Sequence, residues 1–287
     1  MNHRPARVVA IHDLSGFGRC SLSVILPTLS TMGVQVCPVP TAILSSHTGG
    51  LGEVEFRDLT SFIPASLEHY QRLGLDFECV YSGFLGSEEQ IDHCKKYFAS
   101  YPEALAVVDP VMGDHGKAYR TYTEAMRNRL GELVQVADVI TPNLTEACML
   151  LKIPYISEGL TRQEARSLLA KLGELGPNFV VVTGVQLATG GMANIGYDKG
   201  NNSYWVAPCD YVPGSYPGTG DLFASVLTGA FLTGDSLPIA MGRATYFVER
   251  CIKTTFSYSS DTRYGVMLEK ELSVLTDSAN QKDFSLL

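Results

Sequence analysis

The sequence predicts an α/β fold, with a mostly parallel central sheet and helices on both faces. Three observations carry that prediction. Short apolar runs such as Val8-Val9-Ala10-Ile11, Leu105-Ala106-Val107-Val108 and Phe179-Val180-Val181-Val182 read as strands buried on both sides. Helical patterns fall between such runs, giving the strand–helix–strand rhythm of βαβ units. Four strand runs lead into polar loops bearing Asp13, Asp109, Asn143 and Thr183, and a parallel sheet gathers such loops at one edge.

In chain order, Val8–Ile11 is the first strand, and His12–Arg19 follows as a polar, glycine-bearing turn. A helical pattern runs from Ser21 to Met32 and stops at Gly33, and Val34–Val39 is the next strand. The spacing Gly16-x-Gly18-x-x-Ser21 nearly matches a dinucleotide fingerprint but lacks its third glycine. Thr41–Leu44 leads into Ser45–Gly52, a small polar loop with three glycines that suits either a binding-site flap or a surface turn. An amphipathic stretch covers Asp58–Leu73, Cys79–Ser82 is a strand ending in Gly83–Ser87, and Glu88–Phe98 is a helix. Leu105–Val108 runs straight into Asp109-Pro110-Val111-Met112-Gly113-Asp114, whose two carboxylates suit either a metal and phosphates or local capping. Ala137–Ile140 is a strand, and in the loop after it Asn143 and Glu146 have the spacing of a capping box. Thr161–Lys171 is a helix, and Phe179–Val182 a strand closing on Thr183-Gly184. Met192–Tyr197 and Ser203–Val206 form a hairpin, Leu237–Ser257 a long helix, and the tail holds one short helix near Leu268–Leu272.

The chemistry is placed in Pro213–Ala224. Here a glycine-rich turn opens onto Leu222–Leu232, a run too apolar on every side for a surface helix. Free amides and the positive end of a helix dipole make such a turn an anion site. Gly218 and Gly220 let the backbone approach a phosphate, and Thr219 adds a hydroxyl. Asp221 is either the helix cap or a general base beside that anion hole.

Composition narrows the field. The 287 residues carry a net charge of −8 with 45% hydrophobic and 18% charged residues, which suits one domain over 1–287 and argues against a nucleic-acid partner. No apolar run approaches a membrane span, the start does not read as a signal peptide, and the seven scattered cysteines suit reduced thiols, so a cytoplasmic protein is expected. Walker A and protein-kinase patterns are absent, as are His-x-x-x-His, Cys-x-x-Cys and Gly-x-Ser-x-Gly.

From Ile11 to about Ser257 the chain resembles the ribokinase-like superfamily of small-molecule kinases, and within it the pyridoxal kinases. Gly218-Thr219-Gly220-Asp221-Leu222-Phe223-Ala224 is the most specific element. Asp109–Asp114 and Thr141–Glu146 follow the family's order and spacing. Ser46-His47-Thr48-Gly49 is similar to its vitamin-binding flap, and Ser82–Gly86 to the segment lining its pyridine pocket. The resemblance implies ATP-dependent phosphorylation of the 5′-hydroxymethyl of a B6 vitamer. It casts Asp221 as the base and the amides of Gly218, Thr219 and Gly220 as the anion hole. It also implies Mg²⁺ positioned by Asp109, Asp114 and Glu146, with Thr141 and Thr183 on the nucleotide side near a monovalent cation such as K⁺. Asn143 and Thr219 are then implied beside the nucleotide phosphates, Ser46 and Thr48 in the flap, and a homodimer as the assembly. Two positions depart from the family. Asp13 aligns with a pyridine-contacting serine and resembles hydroxymethylpyrimidine kinases, while Phe84 replaces a common tyrosine. Asp13 is expected to face substrate, where it pairs with a pyridinium nitrogen or a substrate amine. A hydroxymethylpyrimidine or sugar kinase, and a catalytically silent sensor, stand as alternatives.

Overall fold

The computed structural model describes residues 4–119 and 122–287. Its strands are β1 (Arg7–Phe17), β2 (Gln35–Ser46), β3 (Phe56–Asp58), β4 (Cys79–Ser82), β5 (Leu105–Val108), β6 (Gly113–Asp114), β7 (Lys117–Ala118), β8 (Val139–Ile140), β9 (Phe179–Gln186), β10 (Met192–Asp198), β11 (Ser203–Cys209) and β12 (Ser285–Leu286). The helices are α1 (Leu22–Thr31), α2 (Phe62–Arg72), α3 (Glu88–Ser100), α4 (Glu124–Val134), α5 (Leu144–Leu151), α6 (Arg162–Glu174), α7 (Thr219–Leu232) and α8 (Leu237–Ser257).

Ten strands form one sheet in the order β12-β11-β10-β9-β8-β5-β4-β1-β2-β3, and β6 pairs with β7 apart from it. Pairing is parallel from β2 through β1, β4, β5 and β8 to β9, and antiparallel beyond β9 and at β3. The chain winds outward from β1 to β2, then crosses to β4 and continues the other way. The order therefore reverses between β1 and β4, and a crevice opens at their carboxyl ends.

Alternate residues of the parallel strands serve two cores. Val9, Ile11, Val80, Ala106, Val108, Ile140, Val180 and Val182 pack with residues of α2 through α6. Val8, Ala10, Cys79, Tyr81, Val107, Val139 and Val181 pack with residues of α1, α7 and α8. This is why the strands read as unbroken apolar runs, and why α7 is buried along most of its length.

The predicted helices and parallel strands are present, and the hairpin joins β10 to β11. One segment needs correction. His12–Arg19, expected as a turn, continues β1 as far as Phe17, because its backbone pairs with the 12-residue β2. The pairing register shifts between His12 and Leu14, and an irregularity of this type re-aims side chains at a strand end. The tail carries three short 3₁₀ turns, Thr262–Tyr264, Leu268–Lys270 and Leu272–Thr276, in place of one short helix. All seven cysteines are free thiols. Among the described residues, no helix is long and apolar enough to cross a membrane.

Candidate active site

The crevice is built stepwise from strand ends. Gly83 N donates to Ile11 O at 3.0 Å, Asp109 N to Ser82 O at 2.9 Å, Thr141 N to Val108 O at 3.2 Å and Thr183 N to Pro142 O at 3.0 Å. The first three bonds carry the parallel ladder one residue past β4, β5 and β8, and the fourth, donated from within β9, carries it two residues past β8. They bring the loops of β1, β4, β5, β8 and β9 to one edge.

Helix α7 closes that edge. Its N-cap is Gly218, in the left-handed region at φ 81°, and the first intrahelical bond is Leu222 N to Gly218 O at 3.0 Å. The amides of Thr219, Gly220 and Asp221 precede it and lack intrahelical acceptors. A Cβ on Gly218 would stand 2.0 Å from the Arg19 carbonyl oxygen, so glycine is required where the turn presses on the β1–α1 connection. A Cβ on Gly220 would meet nothing within 4 Å. The Thr219 hydroxyl donates to Tyr216 O at 3.0 Å and braces the turn, so its amide is the group left to face an anion.

Asp221 does not cap α7. Ser21 N donates to its Oδ2 at 2.6 Å, and His12 Nε2 lies 3.1 Å from its Oδ1. The carboxylate thus points out of its own helix toward the middle of β1, and it is 9% exposed. On the far side of the imidazole, His12 Nδ1 lies 2.9 Å from Asp13 Oδ1, and Ser15 Oγ donates to Asp13 Oδ2 at 3.1 Å. Burial alone would push the His12 pKa down, but the charge of Asp221 and the bond to Asp13 more than offset it and lift it to about 10. Burial likewise opposes ionisation of Asp13, and its bond to His12 holds it below the usual carboxylate range. His12 escaped the sequence reading because one histidine at a strand end carries no spacing signal. Its placement between two aspartates exists only after α7 has folded onto β1.

Asp109 and Glu146 are 5% and 4% exposed, and among the described residues no basic side chain is hydrogen-bonded to either. Burial and then the charge of Asp221 raise Asp109 to about 7. Burial and then Asp109 raise Glu146 well above its ordinary value. Met112 N and Asn143 N donate to Glu146 at 3.0 and 2.8 Å, and Glu146 N donates back to Asn143 Oδ1, completing the expected capping box on α5. Asn143 Nδ2 donates to Gly113 O at 2.8 Å, tying the loop after β5 to the start of α5. Among the described residues, the buried Thr141 hydroxyl has no hydrogen-bond partner.

The other predicted residues lie around this centre. Asp114 stands apart, with a side chain 46% exposed and His115 N donating to its Oδ1. Thr183 is half-buried and bridges Asn143 across the sheet edge. Phe84 is half-buried, its ring edge-on to Tyr122 at 6.1 Å. Ser46 is half-buried and Thr48 exposed, on a loop held by His47, whose Nε2 donates to Arg263 O at 2.6 Å. Both carboxylate oxygens of Asp13 are engaged within the protein, by His12 and Ser15.

A protein of Bacteroides thetaiotaomicron, described as a candidate phosphomethylpyrimidine kinase and crystallised with pyridoxal, superposes with a TM-score of 0.94 at 40% identity, over 99% of this chain and 100% of that one. Pyridoxal kinase from Lactobacillus plantarum superposes with a TM-score of 0.85 at 32% identity, over 94% and 96% of the two chains. The thiamine biosynthetic bifunctional enzyme TH1 of Arabidopsis thaliana is 29% identical over 84% of this chain, which spans 44% of that longer protein. With this fold and these relatives, the protein is a small-molecule kinase of the ribokinase-like superfamily. Residues 26–265 match the phosphomethylpyrimidine kinase family, and the chain belongs to it.

Proposed function

We propose that the protein phosphorylates the 5′-hydroxymethyl group of a B6 vitamer (pyridoxal, pyridoxine or pyridoxamine) with ATP as donor. One observation carries the chemistry: Asp221 sits in the first turn of a buried helix, beside unbonded amides, yet caps nothing in that helix. The vitamer is supported by the 40% identical relative crystallised with pyridoxal and the 32% identical pyridoxal kinase.

In this mechanism the substrate hydroxyl donates its proton to Asp221 as its oxygen attacks the γ-phosphorus, and the bond from that phosphorus to the β,γ-bridging oxygen breaks to release ADP. Both Asp221 oxygens already accept one bond, and a carboxylate has capacity for more. The amides of Gly218, Thr219 and Gly220 face the phosphoryl oxygens as their charge redistributes. Phosphoryl transfer depends mainly on such alignment and charge stabilisation, and one placed base contributes about 10²–10⁴-fold. Phe84, edge-on to Tyr122, offers an apolar ring to the substrate heterocycle.

The residues also fit Mg²⁺. Two buried carboxylates, Asp109 opposed by burial and then by the charge of Asp221 and Glu146 by burial and then by that of Asp109, beside the buried Thr141 hydroxyl, are a donor set that a cation would satisfy. Mg²⁺ is commonly held by one or two carboxylates together with substrate phosphates. Asp109 and Glu146 would hold it with Thr141 alongside, and when bound it neutralises phosphate charge. Asp114 lies further toward solvent, and Thr183 borders the same edge, where a monovalent cation such as K⁺ is proposed.

Hydroxymethylpyrimidine is the second reading, favoured by the family match and by aspartate at position 13. ATP-coupled ADP production with each vitamer and with hydroxymethylpyrimidine, with and without Mg²⁺, separates the two. A vitamer kcat/KM at least about tenfold above the pyrimidine's is expected. The opposite order overturns the vitamer assignment.

A further inference from the structure

The geometry points to His12 as a positioning residue for Asp221: a buried imidazolium, seated by Asp13, that fixes the proton-accepting carboxylate in place. This rests on the proposed role of Asp221 as the base.

The first support is the hydrogen-bonded chain itself. Ser15 Oγ, Asp13, His12 and Asp221 follow one another at 3.1, 2.9 and 3.1 Å. His12 is 2% exposed and Asp13 6%, so solvent does not compete for these bonds. A carboxylate oxygen stands at hydrogen-bond distance from each ring nitrogen, and an ionised carboxylate only accepts. Both nitrogens must carry hydrogen for both contacts to be attractive, which is the charged form of the ring. The Asp13 amide also lies 3.0 Å from Nδ1, a bond available only to the neutral ring, but one amide is outweighed by two carboxylates.

The seat is also built for this ring. A Cβ on Gly83, at the end of β4, would stand 1.9 Å from His12 Cδ2, so the neighbouring strand gives up a side chain to admit the imidazole. The other oxygen of Asp221 is held from a second direction. Ser21 takes the unusual backbone values φ 54° and ψ −140°, and its amide donates at 2.6 Å. A non-glycine residue keeps such angles only where its surroundings impose them. Asp221 is thus clamped between α1 and β1. Among the described residues, the titratable groups facing the pair are Asp13 on β1, Cys20 before α1, Tyr81 on β4, Asp109 after β5 and Tyr119 after β7. His12 is the cation among them.

The test is the pH profile of ATP-dependent vitamer turnover in the parent, His12→Gln, Asp13→Asn and Asp221→Asn, with melting curves to confirm folding. His12→Gln keeps a neutral donor and removes the charge. Its kcat is expected to fall about 10²-fold with both KM values nearly unchanged, as for a misplaced catalytic group. The alkaline limb of kcat, set in the parent by loss of the His12 charge as pH rises through about 10, should be missing from His12→Gln. If His12→Gln does not fold, Asp13→Asn carries the test, with a smaller fall in kcat and the alkaline limb moved to lower pH. A parent-like kcat, or a lowered kcat with the parent's alkaline limb in place, overturns the inference. Full activity in Asp221→Asn overturns the function itself, which keeps the two failures distinct.

Discussion

Alanine at Gly218 and alanine at Gly220 separate folding of the glycine turn from its chemistry. At Gly218 two penalties combine. The φ of 81° is left-handed, which costs an L-residue about 1–2 kcal/mol. The new Cβ would lie 2.0 Å from Arg19 O and 2.8 Å from Cys20 Cα, and both are backbone atoms that cannot rotate away. Relieving the first contact needs more than an ångström of movement, and overpacking of this type costs about 1–3 kcal/mol. The total of roughly 2–5 kcal/mol corresponds to a drop in melting temperature of roughly 4–20 °C for a chain of this size. A shift of about 1 Å in the amides should lower kcat by about 10²-fold. Gly220 is the control. Its Cβ meets nothing within 4 Å and it lies within α7, where alanine is favoured by about 0.5–1 kcal/mol. Gly220→Ala should therefore melt at or above the parent temperature, yet lose at least about tenfold in turnover, because the methyl occupies the path of a phosphoryl group. Differential scanning calorimetry and coupled ADP release measure both. Parent-like melting and rate in Gly218→Ala would refute the packing argument, and a parent-like rate in Gly220→Ala would refute the role of the amides.

Asp109→Asn should melt higher than the parent at pH 8. A folded-state value raised to about 7 means stability present below the unfolded value is lost as pH rises through 7, and asparagine escapes that loss. The difference should fade toward pH 4, and Mg²⁺ should stabilise the parent more than the variant. The His12 contribution has its own window: it is complete below about 6.5 and lost as pH rises through about 10, so the stability gap between parent and His12→Gln should narrow from pH 7 to 10. Imidazole ¹⁵N spectra of the parent at pH 8 should show both His12 nitrogens protonated. Asp13→Ser should lower kcat for all three vitamers alike, since Asp13 seats His12; a change confined to one vitamer would instead place Asp13 against substrate.

The parallel strands were legible because burial on both faces leaves unbroken apolar runs, and α5 and α6 because their capping boxes are local patterns. The β1 extension was not, because its polar and glycine residues suit a turn and only pairing with β2 makes them a strand. Helix α4 and the strands β3, β6 and β7 also escaped notice; the strands are two or three residues long and set by local pairing. At the site, Asp109, Thr141, Asn143 and Thr183 were legible as residues at the ends of successive strands and Asp221 as the start of a buried helix, and the fold brings them to one edge. Asn143 proved to be a brace as well as a cap, and Asp13 an inner partner of His12, because hydrogen-bond partners distant in the chain leave no trace in local sequence. The alternative left open at Asp221, cap or base, needed coordinates: its carboxylate turns away from α7 toward Ser21 and His12.

The most direct measurement is ATP-dependent phosphorylation of pyridoxal, pyridoxine and pyridoxamine by the parent and Asp221→Asn, with nucleotide binding followed separately. Loss of the proton acceptor should lower turnover by about 10²–10⁴-fold while nucleotide affinity is retained. An Asp221→Asn protein that phosphorylates its vitamer at the parent rate would contradict the assignment of the base and the roles built around it.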